Sequence, residues 1–370
     1  MDDTPLIAGA GPTGLAAALF LAERGVTSRI VDPAAEPSKT SKALAVNPRS
    51  LELLESTGVT ARMLAEGRPL IRARVTEAWK PLAEIDITDV HPRFPMLGLS
   101  QARSEALLAE ALAERGITPR RGVGLAGLSQ TPAGVEVDLS TSDGVIERTV
   151  APLVLGADGA HSAARHALGL ELEGSTLPEP WPLYDLELET GLDPHAAQIS
   201  LYPDGLVFML ALEGGLWRVM GNMPDVLDRL PPGSVAGRIV WESRFKISHR
   251  MVRSMAEGRV CLAGDAAHLH SPIGARGMNL GIEDAYAFAA CAADALKGNL
   301  ARLRDYGRLR HHVDHQVVRR VELITRLVRA RSPALRMLRR FGLAVAVRAP
   351  TLAMQFKRTA TGLDHDVALS

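Results

Sequence analysis

The sequence predicts an α/β fold: a domain on a parallel sheet, an antiparallel sheet inserted into it, and helices at the C-terminal end. Three observations predict it. A short apolar run, Pro5 to Ala8, leads into glycines at 9, 11 and 14 and then a strong helix-forming stretch from Leu15 to Arg24. From 178 to 250 the pattern changes to turns and period-two alternation, as in Gln198 to Leu212 and Gly215 to Gly221. From 283 onward the chain reads as mostly helical.

Each element follows from local chemistry. Pro5 to Ala8 suits a parallel strand buried on both faces. Gly9, Gly11 and Gly14 stand at the spacing G-x-G-x-x-G, with Pro12 and Thr13 inside it. Such glycines allow a tight turn, the approach of a pyrophosphate to the backbone, and close helix packing. The helix N-terminus behind them offers free N–H groups and partial positive charge to that pyrophosphate. Thr27 to Val31 reads as the next strand, and Asp32 at its end is placed to accept hydrogen bonds from ribose hydroxyls. The order predicts a Rossmann-type dinucleotide site built from Gly9, Gly11, Pro12, Thr13, Gly14 and Asp32. Gly122 to Gly127 repeats the glycine spacing, but an alternating segment to Leu139 follows it, so a hairpin is the better reading there.

A helix is expected over Ser104 to Arg115, and strands over 117 to 156, ending in the apolar run Ala151 to Asp158. The chain then builds the inserted sheet and returns with the strand Arg259 to Ala263. Gly264, Asp265 and His268 follow, then a loop with Pro272, Gly274 and Gly277, and a helix from Met278. Asp265, ending a buried strand, can accept hydrogen bonds from the ribityl hydroxyls of a flavin. A helix N-terminus at Gly277, Met278 and Asn279 would stabilise the charge that a reduced flavin carries over N1 and its C2 carbonyl. The two glycine-bearing segments together describe a chain that wraps a flavin dinucleotide from both ends. Pro272, Gly277, Met278 and Asn279 are therefore the candidate catalytic residues. The expected domains are 1–175 for the first part of the cofactor domain, 176–255 for the inserted sheet, and 256–370 for the return and the C-terminal helices.

Composition narrows the function classes. The 370 residues can bury a large core, and a formal net charge of zero gives no electrostatic case for nucleic acid. Cys261 and Cys291 have no metal or redox spacing and are expected to be reduced and inert. No metal site is expected. The N-terminus does not read as a secretory signal, and no window reaches the apolar length of a membrane span, so a cytoplasmic protein is expected.

A third segment, Gly156 to Arg165 with Asp158-Gly159 at its centre, brings a resemblance into view. With the glycine fingerprint and the Gly264-Asp265 step, it resembles the class A flavoprotein aromatic hydroxylases of the para-hydroxybenzoate and phenol hydroxylase type, including their polyketide-tailoring members. Ser41 to Leu54, Gln101 with Arg103 and Glu105, Trp241 to Arg250, and Thr361 to Asp364 extend the likeness over nearly the whole chain. The resemblance implies a Rossmann-type FAD-binding domain with an inserted antiparallel-sheet substrate domain. It adds Lys42, Gln101 and Asp158 to the cofactor-binding residues. It implies FAD as cofactor and NADPH or NADH as co-substrate. It also implies dioxygen, activated as a C4a-hydroperoxyflavin, and an aromatic small molecule of phenolic or polyketide-like kind. A homodimer is left open.

Departures from the family pattern stand beside it. Ala275 and Arg276 replace the usual glycine and glutamine before the Gly277-Met278-Asn279 step. Lys42 stands where some members carry arginine, supplying charge without a bidentate fork. The thioredoxin-like third domain of longer relatives is not expected, and the middle sheet is short. His268 and His270 flank the loop and suit either proton transfer or a structural role. Tyr202, Trp217, Arg218 and Met220 suit either the substrate face or the core of the inserted sheet. The basic stretch from Val317 to Lys357 reads as a helical cover with a solvated rim rather than a membrane face. Epoxidation or Baeyer-Villiger insertion by the same machinery is an alternative outcome. A non-oxygenating dehydrogenase or a ligand-binding protein is the alternative of another class.

Overall fold

A computed structural model describes residues 4–38, 44–272, 274–329 and 350–367, together with 332, 337 and 342. Lys42 lies outside the described residues, as do Arg331, Arg336, Arg339 and Arg340.

Six strands form the first sheet, in the order Ala256–Glu257, Val260–Leu262, Val154–Gly156, Leu6–Ala8, Arg29–Asp32 and Arg120–Arg121. All neighbours are parallel except the outermost pair at 256–257. Alternation decides what covers each face. Leu6, Ala8, Val31 and Val154 pack against Val135, Val137 and Leu139 of a three-stranded antiparallel sheet, Val123–Thr131, Gly134–Thr141 and Ile146–Ala151. Ile7, Ile30, Leu155 and Cys261 point the other way, into the main core with the helices Pro12–Ala22 and Arg276–Leu296. Burial on both faces is what the unbroken apolar runs require. The second G-x-G-x-x-G, at 122–127, lies at and inside a strand of the three-stranded sheet, as its alternating sequel predicts.

The second large sheet has eight strands, ordered His268–Leu269, Val235–Met251, Glu173–Glu189, Leu216–Gly221, Leu206–Ala211, Ala196–Leu201, Arg72–Glu77 and Lys80–Asp86. Two of these strands, at 72–77 and 80–86, come from the part of the chain assigned by sequence to the first domain. One pair, Ala196–Leu201 with Arg72–Glu77, is parallel, so the sheet is mixed rather than purely antiparallel. The strand at 268–269 hydrogen-bonds to Arg250 and Met251, tying this sheet to the return segment of the first domain.

The helix expected over 104–115 runs from Gln101 to Ala113, one turn earlier, because Ser100 caps it by accepting from the Arg103 N–H at 3.2 Å. Two more helices, Ala301–Arg329 and Pro350–Thr361, follow the return segment. Among the described residues no helix is long and apolar enough to cross a membrane. Both cysteines are free and buried, and burial pushes their thiols up, Cys291 to about 11.

Candidate cofactor site

The three motifs converge at the carboxyl ends of three adjacent parallel strands, 6–8, 154–156 and 260–262. Ligands of open α/β sheets bind outside those ends. Each fingerprint glycine has its own reason. Gly9 has φ +107°, a conformation that favours glycine, and a Cβ there would collide with the Ala157 carbonyl. A Cβ on Gly14 would collide with the Gly9 carbonyl. Gly11 has ordinary backbone angles, and a Cβ there would meet nothing within 4 Å. Gly9 and Gly14 are thus fixed by the fold, while Gly11 keeps space open in front of the helix. That helix begins with Pro12 and has no side-chain cap, so its first amides face that space.

Asp32 braces this loop from the next strand. Its Oδ2 accepts from the Ala10 N–H at 2.7 Å and its Oδ1 from the Ala34 N–H at 2.9 Å, with Arg121 at 3.7 Å. Thr13 has a packing role: its Oγ1 sits against Gly264, where a Cβ would lie 2.6 Å away, and against Gly281. Asp158 accepts from the Ala164 N–H at 3.1 Å through Oδ2, while its Oδ1 is buried without a partner among the described residues. Arg165 bridges the second and third motifs, donating to Ala266 O at 3.1 Å and to Ala160 O at 3.0 Å. Asp265 is the exposed member of the short turn Gly264–Ala266. Gln101 begins its helix and donates to Glu105 at 2.7 Å.

The loop before the helix Arg276–Leu296 resolves the departure at 275 and 276. Ala275 adopts φ +51°, the left-handed conformation for which the family pattern uses glycine, and its N–H donates to Pro272 O at 2.9 Å. Arg276 turns away from the helix N-terminus. Buried, it donates to Thr359 O at 2.7 Å and to Asp364 at 3.1 Å, clamping the loop to the C-terminal segment. Asn279 is fully buried and its amide is committed: Nδ2 donates to Ala45 O at 3.0 Å and Ala275 O at 2.6 Å, and Oδ1 accepts from the Asn47 N–H at 2.9 Å. Its side chain fixes the loop geometry, and the Met278 side chain joins the main core. Gly277, in the first helical turn, faces the His270 ring, whose Cε1 is 4.0 Å from a Cβ placed there.

A buried ion cage supports these turns. Arg310 donates to Asp284 and Asp314 at 2.7 Å each. Asp284 also accepts from the Gly264 N–H at 2.9 Å and lies 2.8 Å from His268 Nε2. Burial pulls the His268 pKa down, but the Asp284 and Asp314 carboxylates outweigh it and hold it up at about 9. Burial opposes ionisation of Asp284, yet Arg310 and His268 keep it well below the usual carboxylate range. Burial raises Asp314. His268, Asp284 and Asp314 have ligand atoms within 4.8 Å of one another, a spacing that suits a metal. The Arg310 guanidinium already supplies the compensating cation. Sequence reading missed this cage; the only trace was Arg310 and Asp314 at i,i+4.

One face of the eight-stranded sheet meets the loop. Phe208 and Leu210 pack with Leu44, Met96 and Ala275 on that side. Met220 and Arg218 stand across from them in register. Buried Arg218 forms a bidentate pair with Asp185 at 2.7 Å for both bonds and lies 5.1 Å over the Trp241 ring. Trp217 belongs to the opposite face, and partly buried Tyr202 packs beside that same cluster. A surface cleft of about 650 Å³ lined by Arg253, Arg304, Arg308 and His311 contains no motif residue.

Comparison with known proteins agrees with this geometry. A family described as an FAD binding domain matches residues 3–204 and 226–321. The 6-methylpretetramide 4-monooxygenase of Streptomyces rimosus is 36% identical over 316 residues, covering 80% of this chain and 56% of the relative. The pentachlorophenol 4-monooxygenase of Sphingobium chlorophenolicum is 31% identical over 312 residues, covering 77% and 57%. The chain thus spans little more than half the length of these two relatives. Among solved structures, an anhydrotetracycline hydroxylase from Streptomyces rimosus superposes with a TM-score of 0.81 at 27% identity, over 98% of this chain and 76% of that one. The p-nitrophenol 4-monooxygenase from Pseudomonas putida gives 0.89 over 98% of both chains, and its 22% identity bears on the fold alone.

Proposed function

The chain belongs to the FAD-binding family of class A aromatic hydroxylases, and from that premise we propose that it is an FAD-dependent, NAD(P)H-consuming monooxygenase of an aromatic small molecule. The observation that carries the proposal is the convergence of three motifs on adjacent strand ends around an open Gly11. The residues fit the cofactor. Gly11 leaves room for a pyrophosphate against uncapped amides, and Asp158 Oδ1 is a buried acceptor with no donor among the described residues. Gly9, Gly11, Pro12, Thr13 and Gly14 would form the pyrophosphate cradle, and Asp32 the ribose contact. Asp158 and exposed Asp265 offer carboxylates to hydroxyl groups of the chain between phosphate and ring. Bound FAD would supply two-electron transfer from NADH or NADPH and the reaction with dioxygen.

The remaining work falls to the protein. The uncapped N-terminus at Arg276, Gly277 and Met278 presents amides to developing negative charge, at no cost of reorganisation. Asn279 and Arg276 hold that turn in place from behind. The sheet face with Phe208, Leu210 and Met220 offers an apolar wall that can exclude water from the reacting ring. The polyketide and chlorophenol named in the two relatives support a phenolic or polyketide-like substrate. A cytoplasmic setting belongs to the same reading. Epoxidation or Baeyer-Villiger insertion would use the same residues, and product connectivity separates them from hydroxylation. The test is reconstitution with FAD followed by NADH and NADPH oxidation across a panel of phenols and polycyclic quinones. Retained flavin with substrate-stimulated oxidation is expected. Failure to retain flavin, or a rate blind to every substrate, would refute the proposal.

A further inference from the structure

His270 has a role that neither the flavin motifs nor the ion cage assigns. It follows the strand His268–Leu269, at the seam between the eight-stranded sheet and the helix Arg276–Leu296. Its Nδ1 lies 2.9 Å from Ser271 O. A carbonyl oxygen only accepts, so Nδ1 carries the proton and Nε2 is a bare acceptor. That Nε2 is buried and has no partner among the described residues. Burial, first of all, and the neighbouring His268 and Arg276 push the imidazole down to about 3, so it stays neutral. Its ring stands against Gly277, in the first turn of the helix that meets the cofactor.

The surroundings repeat the theme. His249 is 4% exposed, and both of its ring nitrogens are buried without partners among the described residues. Its neighbours Arg250 and Met251 pair with Leu269 and His268, and the same register continued by one residue puts it opposite His270. His268 Nδ1 likewise has no partner among the described residues, and the His268 and His270 rings lie nearly parallel with centroids 6.4 Å apart. A buried acceptor without a partner among the described residues matches a group that donates, and a hydroxyl does so.

We propose that His270 determines specificity by accepting, through Nε2, a hydrogen bond from a hydroxyl of the aromatic ligand beside Gly277. The inference rests on the monooxygenase reading above and adds to it the side chain that meets the ring hydroxyl. The probes are 2-naphthol and its methyl ether, which has the same ring and no donor. With ¹⁵N-histidine-labelled wild-type protein, 2-naphthol is expected to shift the His270 Nε2 resonance and the ether to leave it unmoved. In the FAD-loaded enzyme, binding followed by flavin absorbance should favour the naphthol by roughly tenfold or more. His270→Phe should erase that preference with FAD affinity intact, and His270→Gln, which restores an acceptor, should recover part of it. Preference kept in His270→Phe, or an Nε2 resonance that ignores the naphthol, overturns the proposal. A tenfold loss of FAD affinity in His270→Phe also overturns it, by giving Nε2 to the flavin. Wild-type protein that binds no FAD would refute the monooxygenase reading itself and this inference with it.

Discussion

Replacing Gly11 by valine separates cofactor binding from folding, because the structure gives this glycine no fold duty. Its φ of −79° is ordinary, and a Cβ there meets nothing within 4 Å. The folding cost is confined to a poorer helix N-cap, about 1 kcal/mol. The binding cost is larger. A branched side chain would fill the space where a pyrophosphate reaches the uncapped amides behind Pro12. A hydrogen bond to a charged group contributes about 1.5–3 kcal/mol, so losing two costs about 3–6 kcal/mol. At 1.4 kcal/mol per decade that weakens FAD binding by roughly two to four decades. The assay is fluorescence titration of apoprotein with FAD, paired with a thermal melt. Gly14→Val is the contrast, since its Cβ would collide with the Gly9 carbonyl and should prevent folding. Wild-type FAD affinity in Gly11→Val would refute the reasoning, and so would a collapse of its melting temperature.

Three further outcomes are expected. Asp265→Ala should weaken FAD binding by about 1.5–3 kcal/mol while leaving the melting temperature close to wild type, because Asp265 is exposed in its turn; the reverse pattern would make Asp265 a structural residue. Asn279→Ala removes two buried hydrogen bonds and one partly buried one and should cost on the order of 2–4 kcal/mol in urea unfolding, with FAD affinity falling alongside. Stability should also depend on pH in both directions. His268 is raised to about 9, so its contribution is complete below about 6.5 and is lost as pH rises through 9. His270 is lowered to about 3, so its contribution is present above about 6.5 and is lost as pH falls toward 3. Each limb has a slope of at most about 1.4 kcal/mol per pH unit. His268→Gln should flatten the alkaline limb in urea denaturation, and an unchanged limb would contradict the cage geometry.

The cofactor domain was legible because its signals are local. A strand, three glycines and a helix sit within twenty-odd consecutive residues, and the apolar runs state their own burial. The Gly122–Gly127 decoy was readable for the same reason, since the residues that follow it alternate. What escaped depends on contacts between distant segments. The strands at 72–77 and 80–86 join the eight-stranded sheet through a parallel pairing with 196–201, which no local pattern announces. Arg276 read as a departure at the flavin edge, yet its partners are Thr359 and Asp364, more than eighty residues away. Asn279 read as a flavin contact by its place in the motif. Its amide is instead spent on Ala45, Asn47 and Ala275, so what it offers the cofactor is position. The backbone at 275 kept the left-handed turn even though alanine replaced the expected glycine, because Pro272 and Asn279 hold it from both sides.

The reaction proposed above is the insertion of one oxygen atom from dioxygen into an aromatic ring at the expense of a reduced nicotinamide. The direct measurement is turnover under ¹⁸O₂ with FAD-loaded protein, a phenolic substrate found by the oxidation panel, and NADH or NADPH, with product mass and peroxide followed together. One ¹⁸O atom per product molecule, product formed in step with nicotinamide consumed, and little peroxide are expected if the proposal holds. Product without ¹⁸O, or nicotinamide consumption that ends entirely in peroxide for every substrate, would contradict it.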